Sequence, residues 1–257
     1  MRDVYVAGVG MTAFGRHRDR GLKSLSEEAV RAALADAETD PGRVQAVYFG
    51  NAMGGLVTGQ EMVRAQAALR RTGLLGVPVV NVENACASSS TAFHLGWLAV
   101  AAGAADTVVV VGTEKMTSPD RDRAKHALAS AADLDELAEL EARVGGADES
   151  RSFFMDLYAE TARRYMEASG ATVTDFAAVV VKNRRHGAAN PHAQFREAVT
   201  VEQVLHSRAI VPPLTLFMCS AIGDGSAAVV LTSRDRLPAG RPRIRVAASV
   251  LTSGYGR

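Results

Sequence analysis

The sequence predicts a layered α/β fold, a mostly parallel sheet between helices with a helical and loop region inserted into it. Three observations carry that prediction. Short apolar runs rich in β-branched residues occur at 4–9, 44–49 and 107–112, each bounded by turn signals. Helical patterns alternate with them, giving three strand-to-helix units before residue 113 and implying right-handed crossovers. After Met116 the chain becomes charged, alanine-rich and poor in strand formers, and an apolar run returns only in GDGSAAVVLTS.

Residues 4–9 read as a buried first strand that leaves through Gly10 and a loop to Gly15. Ser24 and Glu27 stand at capping-box spacing, and Leu25, Ala29, Ala32 and Ala33 continue one apolar helix face. Pro41-Gly42 stops that helix, residues 44–49 give a second strand, and GNAMGGLVTGQ gives a glycine-rich loop. EMVRAQAALRRTG is the next helix, closed by Gly73. VPVVNVENAC passes from a β-branched run into a polar turn. The helix of ASSSTAFHLGWLAVAAG that follows is apolar on nearly every side, which predicts a central, enclosed position. TVVVVG is the next buried strand.

Within the charged region, helices are expected over 154–169 and 175–186, then a polar stretch HGAANPHAQFREAVT, then helical spacing in TVEQVLHSR. Residues 236–241 resemble a linker, and IRVAASVLTSG begins a strand without the crossover a parallel unit needs. The expected organisation is therefore a core over 1–115, an insertion over 116–210, a return to the core over 211–236, and a linker with the start of an incomplete second half over 237–257. On this reading the chain is an amino-terminal portion.

Composition removes several function classes. Lys plus Arg number 29 against 28 Asp plus Glu, and the basic start Arg2, Arg16, Arg18 and Arg20 is interleaved with Asp3 and Asp19, so no nucleic-acid footprint is indicated. Two cysteines without Cys-x-x-Cys spacing argue against a disulfide scaffold or a cysteine-rich zinc site, and six dispersed histidines do not make a metal centre. MRDVYVAGVG lacks the order of a signal peptide, and Asp106 interrupts the longest apolar stretch before it could span a membrane. A cytoplasmic protein is expected. VAGVGMTAFG offers Gly8 and Gly10 but Ala13 in the third position of a dinucleotide-binding loop, so a nicotinamide dehydrogenase is a minor alternative.

The sharpest constellation is NVENACASSSTAFHLG. Cys86 lies at the strand-to-helix transition, where free backbone N–H groups and the helix dipole favour a thiolate, and Ala85, Ala87 and Ser88 leave room for a substrate. Packing is the plainer role for a single cysteine. His94, eight residues on, is roughly 12 Å further along a straight helix, too far for a direct pair with Cys86 and better read as a satisfied core histidine. Arg184, Arg185 and Arg196 could approach phosphates, and Asn190 and Gln194 could make directional contacts, with exposed polar roles as the alternative. His186 and His192 share that choice between substrate contact and exposure.

NVENACASSS resembles the nucleophile segment of thiolases, in the bacterial branch related to the thiolase domain of sterol carrier protein X. GTEKM, NPHAQFREAVTVEQVLHSR and PLTLFMCSAIGDGSAAVVL resemble later segments of that branch in the same order. The resemblance implies a thiolase-like layered fold and an acyltransferase in which Cys86 takes the acyl group from an acyl-coenzyme A. It implies coenzyme A and acyl-coenzyme A as substrates with no tightly bound cofactor, a homodimer, and an inserted lobe that helps shape the coenzyme A channel; Arg184, Arg185, Asn190 and Gln194 are candidate contacts there from their chemistry, not from the resemblance. The carboxyl-terminal histidines and second catalytic cysteine of complete members have no counterpart before Arg257. Cys219 matches a different segment and is read as structural. Two alternatives stay open. One is retro-aldol cleavage with a small partner carrying a zinc ribbon and an oligonucleotide-binding-type fold; the other is a noncatalytic structural or lipid-binding subunit.

Overall fold

The computed structural model describes residues 1–143 and 151–254. Residues 144–150 of the expected insertion and 255–257 of the expected closing segment lie outside the described residues. The chain forms two compact units, one of Met1–Pro119 together with the chain from Gly223 onward, the other Asp120–Ile222. In chain order the first unit contains β1 (Val4–Met11), α1 (Leu22–Asp36), β2 (Ala46–Gly50), α2 (Gly54–Thr58), α3 (Arg64–Ala68), β3 (Val79–Val82), α4 (Ser88–Ala101) and β4 (Thr107–Glu114). The second holds α5 (Arg121–Ala129), α6 (Leu137–Arg143), α7 (Phe153–Ser169), α8 (Val173–Ala188), α9 (Val201–Leu205), β5 (Ala209–Val211) and β6 (Leu214–Thr215). The chain then returns to the first unit as β7 (Gly225–Ser233) and β8 (Ile244–Arg245).

One six-stranded sheet, ordered β3-β2-β4-β7-β1-β8, organises the first unit. β2 pairs in parallel with β3 and β4, whereas β7 enters reversed between β4 and β1, and β8 pairs antiparallel with β1. β1 to β4 thus run one way and β7 and β8 the other. Because side chains alternate across a strand, Val47, Phe49, Val109, Val111 and Val230 face α1, while Ala46, Val108, Val110 and Leu231 face α4. The sheet is covered by a helix on each face, the arrangement that buries both.

Glycine decides how closely α1 approaches. A Cβ on Gly8 would stand 2.3 Å from Ala37 N, and one on Gly10 would stand 2.3 Å from Ala29 O. The glycines of VAGVG therefore serve strand-to-helix contact. β1, paired antiparallel on both sides, is not the opening strand of a parallel dinucleotide-binding unit. A register shift between Val6 and Gly8 bulges β1. Near the bulge, Val9 N–H donates to Asp36 at 2.8 Å, and Arg241 donates to both Ala7 O and the Asp36 carboxylate. The linker residue Arg241 thereby ties the chain after β7 to the end of α1.

Several local expectations are corrected. α1 starts at Leu22 with Gly21 as its N-cap, and Ser24 Oγ donates to Gly21 O instead of forming a capping box. Burial of Leu22 as well as Leu25 draws the helix start forward. GNAMGGLVTGQ contains the short helix α2 rather than only a loop. The helix expected over 61–73 is confined to Arg64–Ala68, because Val63 adopts a left-handed φ of 46° and Asn81 Oδ1 accepts the Ala65 N–H at 2.8 Å. α4 is not enclosed. Its small residues Ser88, Ala92 and Gly96 face the sheet, leaving Phe93, Leu95 and Trp97 partly exposed.

The second unit is held differently. α7 is capped by Ser152 and closed by Gly170 at φ 74°, and α8 opens with a capping box between Thr172 and Asp175. α9 has another between Thr200 and Gln203. Arg163 on α7 donates to Pro212 O at 2.6 Å in the turn between β5 and β6. These two strands pair with each other and not with the large sheet, so the second unit extends to Ile222, past the boundary at 210 expected from sequence.

Candidate active site

The carboxyl ends of parallel β2 and β4 carry the first turn of α4. A Cβ on Gly50 would stand 2.6 Å from Ser89 Cα, and one on Gly112 would stand 2.2 Å from Ser89 Oγ. Only glycine at the ends of both strands lets the helix start seat this low, in the position where open α/β sheets present ligand sites.

Between β3 and α4 the chain makes a 3-10 turn, Ala85–Ala87, with Cys86 at its centre and exposed. Ala85 has φ 45°, a left-handed conformation that costs a residue bearing a Cβ and must be held by its neighbours. Hydrogen bonds from the strand exit and the helix start hold it. Glu83 Oε1 accepts the Ala85 N–H at 2.6 Å, and Ser88 Oγ donates to Ala85 O at 2.8 Å. Asn84 N–H donates to Ser88 Oγ at 2.8 Å, and Asn84 Nδ2 donates to Thr91 Oγ1 at 2.9 Å. The turn is thereby fastened to the first turn of α4, with the thiol presented outward.

A second layer surrounds the ends of β2 and β4. Asn51 Nδ2 donates to Thr113 O at 2.6 Å, and Arg64 donates to Asn51 Oδ1 at 2.9 Å and to Ala52 O at 3.2 Å. The Glu114 carboxylate accepts the N–H groups of Ala52 and Met53. Burial pushes the Glu114 carboxyl above its ordinary value; the two N–H groups and the Arg64 charge oppose that rise, and the Glu83 charge adds to it.

The loop after β1, the exit of β4 and the approach to β7 meet at a buried ion pair. Lys115 Nζ contacts Asp224 at 2.7 Å, with side chains 8% and 0% exposed. Lys115 also donates to His17 O at 2.8 Å. Asp224 accepts the N–H groups of Met116 and Thr117, each at 2.8 Å, that of His17 at 3.0 Å, and the Thr117 hydroxyl. Burial works to raise the Asp224 carboxyl, but the bonds from Lys115, Thr117 and the backbone outweigh it and hold the group below its ordinary value.

The remaining expected site residues are dispersed. His94 Nδ1 lies 3.0 Å from Ser249 Oγ, and its ring centroid lies 5.8 Å from that of Trp97. In the second unit the Arg184 guanidinium lies over the Phe195 ring at 4.2 Å and over the Phe217 ring at 5.4 Å. Gln194 Nε2 donates to Ile222 O at 3.3 Å, and Asn190 Oδ1 accepts the His192 N–H at 2.9 Å. Arg185, His186 and Arg196 are exposed. Cys219 is half-buried, donates to Thr215 O, and has its thiol pushed up by burial against the opposing Arg208 charge. Among the described residues no group of three or more His, Cys, Asp or Glu is arranged to hold a metal ion, and no helix is long and apolar enough to cross a membrane.

Glu83, Asn84, Glu114, Arg64 and the Lys115–Asp224 pair were not singled out from sequence. Glu83, Asn84, Glu114 and Lys115 lie inside the segments NVENAC and GTEKM, and Asp224 inside GDG, so the signal was present as motif. Arg64 carried none.

The first unit is a layered α/β unit with an exposed cysteine on a strained strand-to-helix turn over the carboxyl ends of parallel strands, the place where open α/β sheets present ligand sites. Residues 4–212 match the thiolase N-terminal domain family, and the chain belongs to the thiolase superfamily. It is 38% identical over 258 residues to the benzoylsuccinyl-CoA thiolase subunit BbsB of Thauera aromatica, covering 98% of this chain and 62% of that protein. It is 40% identical over 235 residues to an acetyl-CoA acetyltransferase of Methanothermobacter thermautotrophicus, covering 91% and 58%. Human sterol carrier protein 2 is 30% identical over 241 residues. The chain thus spans about three fifths of the length of the first two relatives. Among solved structures, the Ltp2-ChsH2(DUF35) aldolase superposes with a TM-score of 0.72 at 29% identity, covering 91% of this chain and 56% of that one. Human mitochondrial 3-ketoacyl-CoA thiolase, at 19% identity and a TM-score of 0.65 with 91% and 65% covered, shares the fold.

Proposed function

We propose that this chain carries the nucleophile of a thiolase-type acyltransferase, with Cys86 as the catalytic residue. The observation that supports this reading is the exposed Cys86 on a turn whose strain is held by hydrogen bonds from the strand exit and the helix start, within the segment NVENACASSS. Cys86 Sγ attacks the thioester carbonyl and forms a new carbon–sulfur bond. The bond to the coenzyme A sulfur breaks, and the proton lost by Cys86 ends on the released coenzyme A thiol. A second thiol then reverses the exchange onto itself. Arg184, Arg185, Asn190 and Gln194 are the proposed coenzyme A contacts, supported by the guanidinium of Arg184 over the two rings. The reading includes a homodimer, supported by partly exposed Trp97 on α4 and by the position of β3 at the sheet edge. It also includes a reducing, cytoplasmic setting, supported by two free thiols.

The test is intact mass after incubation with short-chain, aromatic and steroid acyl-coenzyme A thioesters, with Cys86→Ala as control. One acyl group per chain, absent from the control, is expected. Thioester binding without an adduct overturns covalent transfer. It would favour the second reading, carbon–carbon cleavage together with a small zinc-ribbon partner, which the likeness to the Ltp2-ChsH2(DUF35) aldolase supports.

A further inference from the structure

We infer that Glu83 is a positioning residue for acyl transfer at Cys86, acting through the backbone and not on the substrate; this rests on the nucleophile reading above. Glu83 occupies the exposed end of β3's exit, three residues before the cysteine, where a solvated carboxylate would ordinarily be free to turn into water. Instead its Oε1 accepts the N–H of Ala85 at 2.6 Å, the length of a strong charge-assisted bond. Ala85 is the residue whose φ of 45° aims the turn. The Ala87 N–H closes the turn on Asn84 O at 2.8 Å, and the other side-chain bonds fasten it from the helix side, through Asn84 to Ser88 and Thr91 and through Ser88 to Ala85 O. Glu83 supplies the side-chain bond from the strand side, on the N–H that precedes the nucleophile. Without it, the strained peptide is free to relax, and the thiol departs from the direction of attack while the helix stays in place.

The role needs an acceptor at this position more than it needs a charge, so Glu83→Gln should retain it and Glu83→Ala should remove it.

A reaction that depends on approach geometry distinguishes positioning from general reactivity. The rate of Cys86 acylation by acetyl-coenzyme A is compared with its rate of alkylation by iodoacetamide, a small reagent that needs no docked orientation. Glu83→Ala is expected to slow acylation by about tenfold or more, in line with the cost of sub-ångström to ångström misplacement, while alkylation changes by less than about threefold. Glu83→Gln is expected to recover most of the acylation rate, and if Glu83→Ala does not fold, Glu83→Gln and Glu83→Ser make the same comparison. Equal acylation of the unmodified chain and Glu83→Ala, or parallel loss of both reactions, overturns the positioning role alone. Absence of acylation in the unmodified chain overturns the nucleophile reading, and the positioning role with it.

Discussion

The two units are stabilised by different means. The five largest fully buried side chains, Phe49, Leu25, Leu69, Leu74 and Leu231, belong to the first unit. The buried apolar residues described in the second are Ala124, Ala127, Ala159, Ala162, Ala177 and Val204. Sheet-and-helix layers remove whole aliphatic side chains from water, whereas the second unit relies on capped helices and on polar ties such as Arg163 to Pro212 and Arg151 to Asp156. Rigid burial underlies the Cys86 turn; a lightly buried unit can vary its sequence without disturbing that turn.

The largest effects should come from the first unit. Asp224→Asn leaves Lys115 buried with an uncompensated charge and should cost about 3–5 kcal/mol in urea unfolding. Lys115 to Thr117 precede the second unit and Asp224 follows it, so the variant should also expose that junction to limited proteolysis. The same substitution should flatten the acid limb of the stability profile. Because the Asp224 carboxyl is held below its ordinary 3.8, its contribution is fully present above that value and is lost as pH falls through the depressed folded value. Phe49→Ala should cost a comparable ~3–5 kcal/mol by opening a cavity under α1.

Gly50→Ala comes next, at about 1–3 kcal/mol. Its new Cβ meets the backbone of Ser88 and Ser89, so acylation at Cys86 should fall much further than stability does. In the second unit, Thr200→Ala removes the cap of α9 and should cost about 1 kcal/mol without changing the alkylation rate of Cys86. A larger loss from Thr200→Ala than from Phe49→Ala would reverse the comparison.

The same contrast governs what could be read from sequence. β-branched runs foretold β2 and β4, and Phe153–Ser169 and Val173–Ala188 fell within a few residues of the expected helices, because burial and capping are local patterns. The reversed entry of β7 between β4 and β1 was not legible, since a strand's apolar run does not encode its direction or neighbours. α4 looked central because its composition is apolar all round, yet which side meets the sheet is decided by Gly50 and Gly112, far away in sequence. Cys86 was legible as motif. Its support by Glu83 was not, because an i to i+2 carboxylate bond to an N–H becomes informative only once the left-handed φ of Ala85 is known.

The most direct test of the account is peptide mapping after a single exposure to acetyl-coenzyme A, with half-buried Cys219 as an internal reference. An acetyl thioester is expected on Cys86 and none on Cys219, whose thiol burial pushes up. Equal labelling of both cysteines, or labelling of Cys219 alone, would contradict it.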